Sequence, residues 1–160
     1  MTSWDKIISL FFFKIQNCSE FFNYYNVSDG EAMQLAKQRA TGYLIESVSR
    51  LMYQCSPDVD FFDYDAETEQ FSFDLTSIEI DLLARLMLEM FLEKDISKLN
   101  VFTNVLSSQD LKYAFSGYGE RNSFVAMFAK IQQDNAQAID GYIARDRITG
   151  ARKSVVYTEV

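Results

Sequence analysis

The stretch Asp74-Leu-Thr-Ser-Ile-Glu-Ile-Asp-Leu-Leu-Ala-Arg-Leu-Met-Leu-Glu-Met-Phe-Leu92 decides the fold of this chain. Thr76 is followed three residues later by Glu79, which is the spacing of a capping box, where each side chain binds the backbone amide of the other residue. Asp74, Glu79 and Asp81 also place negative charge where the helix dipole favours it. Apolar residues then cover more of the circumference than a surface helix requires: Ile80, Leu82, Leu83, Leu86, Met87, Leu88, Met90 and Phe91. The pattern predicts a central helix, packed on most sides, that runs to about Asp95.

Apolar residues at helical spacing predict further helical segments around the central one. Their expected bounds are Ser3 to about Tyr25, Gly30 to Gln54, a short segment opened by Ser97, and a final helix from about Glu120 to Arg145. Between the last two segments, Ser107–Gly119 predicts a loop with a brief ordered piece at Leu111–Phe115.

The helix expected from Gly30 to Gln54 has its own start and stop signals. Ser28 and Glu31 have the spacing of a second capping box, and Pro57 prevents the chain from continuing as a helix. One face of this helix carries small residues that allow a second helix to approach closely: Ala36, Ala40 and Ser47.

The segment between this helix and the central one predicts a different structure. Two short aromatic runs, Phe61–Tyr64 and Phe71–Phe73, flank a polar stretch, and Phe71 and Phe73 alternate as in a strand. We therefore expect a small β-hairpin or an extended excursion near residues 59–73. Because an isolated two-stranded hairpin is marginal, it must pack on something else.

Length and composition agree with one mainly α-helical domain. A chain of 160 residues is long enough to bury a core, and one Pro and six Gly leave little material for a loop-rich fold. We expect a bundle of four to five helices with the excursion near 59–73 and an extended C-terminal tail. The expected division is a helical domain over residues 1–147 and a docking tail over residues 148–160.

Charge and residue types exclude several classes of function. The net charge of −8 disfavours a protein that grips nucleic-acid phosphates, and the absence of His removes the commonest general base and metal ligand. Cys18 and Cys55 are outside any paired motif, so we expect reduced, buried thiols. The apolar run Ile7–Phe13 is too short to span a bilayer. The expectation is a soluble intracellular protein that is not an enzyme, needs no cofactor and does not insert into a membrane.

Acidic residues are concentrated in the excursion: Asp58, Asp60, Asp63, Asp65, Glu67 and Glu69. Their spacing does not fit an EF-hand loop, which requires Gly at its sixth place and Glu at its twelfth. We interpret them as a solvated acidic face. A hydrolase or metal-dependent enzyme that uses the carboxylates between Asp58 and Asp81 is the alternative, and a metal titration without heat would dismiss its metal form.

The C-terminus combines basic residues with strand formers. Val155–Thr158 has no strand partner in a helical domain, so this segment is either frayed or pairs with another chain. In the second case it adds a strand to a partner's sheet, and the basic residues select an acidic surface. The candidate docking residues are Arg147, Arg152, Lys153, Val155, Val156 and Tyr157.

The order of these features resembles the small helical head-to-tail connector proteins of tailed bacteriophages, also called adaptor or neck proteins. The resemblance covers roughly Leu44 to Tyr142. It includes the helix ending at Leu51, the run from Phe62 to Phe71, Asp110–Tyr113, and the last helix with Ile139–Tyr142. Its most specific part is the central run, Asp74-Leu-Thr, Glu79-Ile, Leu83-Ala and Leu86-Met.

This resemblance implies a structural protein of the virion neck, assembled in the host cytoplasm. Such proteins form a ring, commonly of twelve copies, that docks on the portal protein and contacts the next neck or tail protein. DNA passes through the channel without specific binding, and the acidic face at residues 58–69 would line it. The rival hypothesis is a small cytosolic regulatory or scaffolding protein that binds a partner helix.

Overall fold

The computed structural model describes residues 1–105 and 118–154 of the chain. The protein is mainly helical and has a small three-stranded antiparallel sheet. In chain order the elements are β1 (Thr2–Ser3), α1 (Trp4–Lys14), α2 (Ser19–Phe22), α3 (Asp29–Gln54), β2 (Tyr64–Asp65), β3 (Gln70–Phe71), α4 (Ser77–Val105) and α5 (Tyr118–Ile143). The fold class expected from the sequence is confirmed.

Helix α4 lies at the centre and packs against α1, α3 and α5. Both hydrogen bonds of its capping box are present: the Thr76 amide donates to Glu79 Oε2 at 2.7 Å, and the Glu79 amide donates to Thr76 Oγ1 at 3.3 Å. The separate segment expected from Ser97 is wrong, since α4 continues to Val105. No Gly or Pro lies between Ser77 and Val105 to stop the helix. The ordered piece expected at Leu111–Phe115 lies outside the described residues.

The single helix expected from Ser3 to Tyr25 is interrupted after Lys14. A turn follows, in which the Cys18 amide donates to the Ile15 carbonyl at 2.8 Å, and α2 adds one helical turn. In a straight helix Phe11 and Phe21 would be about 15 Å apart along the axis. Their ring centroids are 5.7 Å apart because the chain folds back. Packing of these two rings therefore overrides the helical periodicity.

Helix α3 begins and ends within one residue of the expected bounds, and its capping box at Ser28 and Glu31 is formed. The expected small-residue face is fully buried at Ala36, Ala40 and Ser47. The Ser47 hydroxyl donates to the Tyr43 carbonyl of its own helix at 2.7 Å, so its burial leaves no polar group without a partner. This face lets α3 pack closely against its neighbours.

The expected hairpin is present, and a third strand stabilises it. Strand β3 lies between β1 and β2, with Phe71 opposite both Thr2 and Tyr64. The Trp4 ring packs edge-on against Tyr64 with centroids 5.3 Å apart. At the hairpin turn, Asp65 Oδ1 accepts from the Glu67 amide at 2.8 Å. The N-terminus thus supplies the support that a two-stranded hairpin lacks.

The two thiols are free, as expected, but both are half-buried and not buried. The Cys55 thiol donates to the Leu51 carbonyl at 3.2 Å where α3 ends, and burial raises its pKa. Among the helices of the described residues, none has the length and apolar content needed to cross a membrane.

Candidate functional site

One predicted docking residue, Arg147, meets a buried carboxylate where α4 begins and α5 ends. The centre of this region is Glu79, whose side chain is fully buried. Its oxygen Oε1 accepts from the Tyr142 hydroxyl and from Arg147 Nε, both at 2.7 Å, and Oε2 accepts from Arg147 Nη2 at 3.1 Å. We call the group of Glu79, Tyr142 and Arg147 the C-terminal clamp.

The clamp also holds the backbone and a ring next to the start of α4. Arg147 Nη2 donates to the Asp74 carbonyl, and the guanidinium lies over the Phe73 ring at 5.5 Å from its centroid. A buried carboxylate is tolerated only when it is paired and hydrogen-bonded, and Arg147 supplies both the charge and the fork geometry. The clamp therefore fixes the end of α5 against α4 and the strands.

The protonation states of the clamp follow from these contacts. Burial by itself would raise the pKa of Glu79, but the hydrogen bonds from Arg147, the Thr76 amide and Tyr142 lower it below its ordinary value. Burial and the hydrogen bond to Glu79 raise the pKa of Tyr142, and the same carboxylate raises the pKa of Arg147. At neutral pH the clamp consists of the ion pair between Glu79 and Arg147 and the neutral phenol of Tyr142. Such an arrangement serves a structural role.

Beyond α5, residues 144–154 fold back on themselves, and we call them the C-terminal strap. The Asp146 amide donates to the Ala151 carbonyl at 2.7 Å, and the Lys153 amide donates to the Ala144 carbonyl at 2.9 Å. Gly150 closes the turn at φ 67°, a conformation that favours glycine. The turn crosses the domain boundary expected at residues 147 and 148.

The strap brings one predicted basic residue against one predicted acidic residue. Lys153 Nζ lies 2.7 Å from Asp58 Oδ1, and both side chains are partly exposed. Arg152 is exposed and has no ion pair among the described residues. The docking residues Val155, Val156 and Tyr157 lie outside the described part of the chain. The docking role stays a prediction, while Arg147 and Lys153 have intramolecular partners.

The remaining acidic residues of the excursion make separate contacts and do not form one cluster. Asp60 accepts from the Phe62 amide at 2.8 Å, Asp63 accepts from the Ser72 hydroxyl at 2.7 Å, and Glu69 lies 2.7 Å from Lys37 Nζ. Hydrogen bonds from Thr68 and from the Glu67 amide lower the pKa of Asp65. In residues 1–105 and 118–154, no three acidic or thiol side chains are grouped in a way that could hold a metal ion.

A second buried carboxylate joins α4 to two other helices. Glu89 Oε1 lies 2.8 Å from Arg50 Nη2 of α3, and Glu89 Oε2 accepts from Asn135 Nδ2 of α5 at 2.7 Å. Asn135 and Ile139 are the buried side chains in the described part of α5. Apolar side chains of α5 also pack on the core, among them Phe128, Ile131 and Ile139, so Glu79 and Glu89 add two polar fixed points to an apolar contact.

Apolar side chains also remain exposed on α4 and α5. Ile78, in the first turn of α4, is 61% exposed and lines an open groove of about 310 Å³ with Leu82, Arg85 and Ala138. On α5, Val125 and Met127 are exposed. Such residues in a single subunit are available for contact with another chain.

The sequence pattern identified Glu79 as a capping residue but did not identify its second partner. A capping-box Glu uses one carboxylate oxygen for the amide, and burial requires a partner for the other. The need for this second partner could have been inferred from the sequence, although the sequence could not identify Arg147 as that partner. Comparison of the chain with protein-family models, with curated proteins and with solved structures gave no match.

Proposed function

We propose that this chain is a structural protein of the phage virion, a head-to-tail connector that forms a ring on the portal and extends the DNA channel toward the tail. The resemblance of the run from Leu44 to Tyr142 supplies the class of protein. The structural observation that supports a ring is the packing of α5, which rests on α4 and leaves Val125 and Met127 exposed.

A ring of identical subunits uses two different surfaces of each subunit, so every copy must offer apolar area to its neighbours. Val125 and Met127, both exposed on α5, offer such area. The net charge of −8 supports the second half of the proposal, because an acidic channel repels DNA phosphates and lets the duplex pass. The acidic residues between Asp58 and Glu69 are the ones that we assign to this role.

The ring is tested by introducing charge on α5. We expect Val125→Asp combined with Met127→Asp to abolish oligomers in light scattering and negative-stain microscopy, in the presence of the portal protein of the same phage. Gln133→Asp, at an exposed polar position of the same helix, is the matched control. If the double variant assembles as well as the unmodified chain, α5 is not the ring interface.

The connector function is tested in the virion. We expect deletion of the gene to yield DNA-filled heads without tails, and normal tailed particles would contradict the proposal. For the docking tail, truncation after Ser154 removes Val155–Val160 but keeps the strap that the structure describes. Unchanged association with the portal after this truncation would contradict the docking role.

One observation favours the rival function, a small cytosolic regulatory or scaffolding protein. The open groove beside Ile78 is lined by apolar and charged residues, as is typical of a surface that receives an amphipathic helix. The two functions differ in gene neighbourhood, because a connector gene lies beside portal and major capsid genes. They also differ in assembly, since the rival predicts a monomer or dimer at all concentrations.

A further inference from the structure

The C-terminal strap is attached to the rest of the protein almost entirely by charge. Arg147 is the only residue between Ala144 and Ser154 that is not exposed, and Ile148, the largest apolar side chain of the strap, is 87% exposed. The strap contacts the body through Arg147, at Glu79, the Asp74 carbonyl and the Phe73 ring, and through Lys153 at Asp58. No apolar side chain of the strap is buried to hold it in place.

The charges of the strap and the body are opposite. Residues 144–154 contain four basic residues and one acidic residue, a net charge of +3, which leaves −11 for the rest of the chain. Covalent attachment to α5 raises the effective concentration of these basic residues at the body carboxylates. The strap therefore occupies, within its own subunit, an acidic surface of the kind that its basic residues would select on a partner.

We propose that the strap is an electrostatic latch: in the free subunit its Lys153 end is closed on Asp58 while Arg147 is anchored at Glu79, and an acidic protein surface opens the Lys153 end by competing for its basic residues. Under the proposed function, on which the identity of the partner rests, that surface belongs to the portal. The latch itself is a property of the isolated chain.

The two contacts have different strengths, which sets the order of opening. The pair of Lys153 and Asp58 is partly exposed, so water and salt weaken it. The pair of Arg147 and Glu79 is shielded and has additional hydrogen bonds. The strap therefore opens at Lys153 first, and Arg147 remains as the hinge.

Hydrogen exchange of the full-length chain tests the latch without any partner. The reporters are the amides of Asp146, Gly150 and Lys153, which donate within the strap. We expect their exchange to rise several-fold between about 0.02 M and 1 M salt, as the Debye length falls from roughly 20 Å to about 3 Å. Amides of α3 and α4 should not change. Salt-independent exchange of the strap would overturn the proposal.

Matched variants locate the closed contact. We expect Lys153→Gln and Asp58→Asn each to raise exchange of the strap amides by up to roughly fivefold at low salt, which is the range for an exposed ion pair. The controls are Arg152→Gln and Glu67→Gln, which remove the same charges at exposed positions without an ion pair among the described residues. Equal effects in the variants and their controls would overturn the contact at Asp58.

Measurement of portal binding then tests the latch and the proposed function separately. Asp58→Asn opens the strap but keeps all its basic residues, so we expect the portal to bind this variant more tightly, by the same factor as the opening. Glu67→Gln should bind as the unmodified chain does. Faster exchange with no portal binding by either protein supports the latch and contradicts the portal as its partner.

Discussion

Helix α4 has two unlike sides, and the difference explains how the protein is built. Toward α1, α2 and α3 it presents Phe91, whose ring centroid lies within 6.4 Å of the ring centroids of Phe11, Phe21 and Tyr43. Toward α5 it also packs against apolar side chains, but two buried carboxylates, Glu79 and Glu89, lie on this side and are held by side chains from elsewhere in the chain.

The apolar side is stabilised by area removed from water, which has no direction and little dependence on salt or pH. The side that faces α5 adds a few hydrogen bonds and ion pairs to its apolar packing, so part of its strength changes with the charge of each partner. One helix therefore carries an aromatic core on one side and an attachment that depends partly on charge on the other. Substitutions on the two sides of α4 test that contrast, and we expect the largest effect in the aromatic core.

Truncation of the aromatic cluster should destabilise the protein most. Phe11 is fully buried among the other rings, so Phe11→Ala should lower the free energy of unfolding by about 3–5 kcal/mol. The loss should be the same at low and high salt in urea denaturation followed by circular dichroism. Phe13→Ala, two residues along the same helix at an exposed position, should change stability by less than about 0.5 kcal/mol.

Breaking the C-terminal clamp should lower the free energy of unfolding somewhat less, and this loss should depend on salt and pH. Arg147→Gln leaves the buried Glu79 carboxylate without a cation, and we expect a loss of about 3 kcal/mol in the same measurement. The matched control is Arg145→Gln, an exposed basic position in the same strap, for which we expect less than about 0.5 kcal/mol. Equal losses for the two variants would show that net charge, not the clamp, stabilises this side.

The clamp also predicts how stability depends on pH. The pKa of Glu79 is lowered from its ordinary 4.5 by Arg147, the Thr76 amide and Tyr142, which outweigh the effect of burial. A lowered pKa contributes stability above pH 4.5 that is lost as the pH falls through the folded-state pKa. Urea denaturation between pH 7 and pH 3 should show this loss, and Glu79→Gln should reduce the slope. An unchanged slope in the variant would contradict the prediction.

The polar contact in the middle of α5 should have the smallest effect. Asn135→Ala leaves Glu89 Oε2 without its donor while Arg50 remains on the other oxygen, so we expect a loss of about 1–2 kcal/mol. Gln137→Ala, at an exposed position of the same helix, is the control. If both substitutions are neutral, the attachment of α5 depends on Ile139 and Tyr142 and not on Glu89.

The local features of the fold could be predicted well from the sequence. Both capping boxes, at Ser28 and Thr76, form as the spacing indicates, and α3 and the hairpin lie where expected. The failures occurred where a contact between distant residues decided the conformation. Packing of Phe21 on Phe11 breaks the N-terminal helix. The pairing of Thr2 with Phe71 adds a strand of two residues, which is too short to be recognised from the sequence pattern.

The candidate site shows the same division. Its residue types could be predicted, because acidic residues cluster near the hairpin and basic residues follow the last helix. Their pairing could not be predicted, because Glu79 and Arg147 are 68 residues apart and Asp58 and Lys153 are 95 apart. Many carboxylates are equally available to each basic residue in the unfolded chain.

The sequence by itself determined where helices begin, which faces are apolar and that the chain is acidic, since these follow from hydrogen bonds and periodicities within a few residues. Only the tertiary structure decided that α4 lies between an aromatic core and a contact that contains two buried carboxylates, and that the C-terminal strap contacts its own subunit. Such contacts depend on distances between remote residues, and these distances are set when the core has formed.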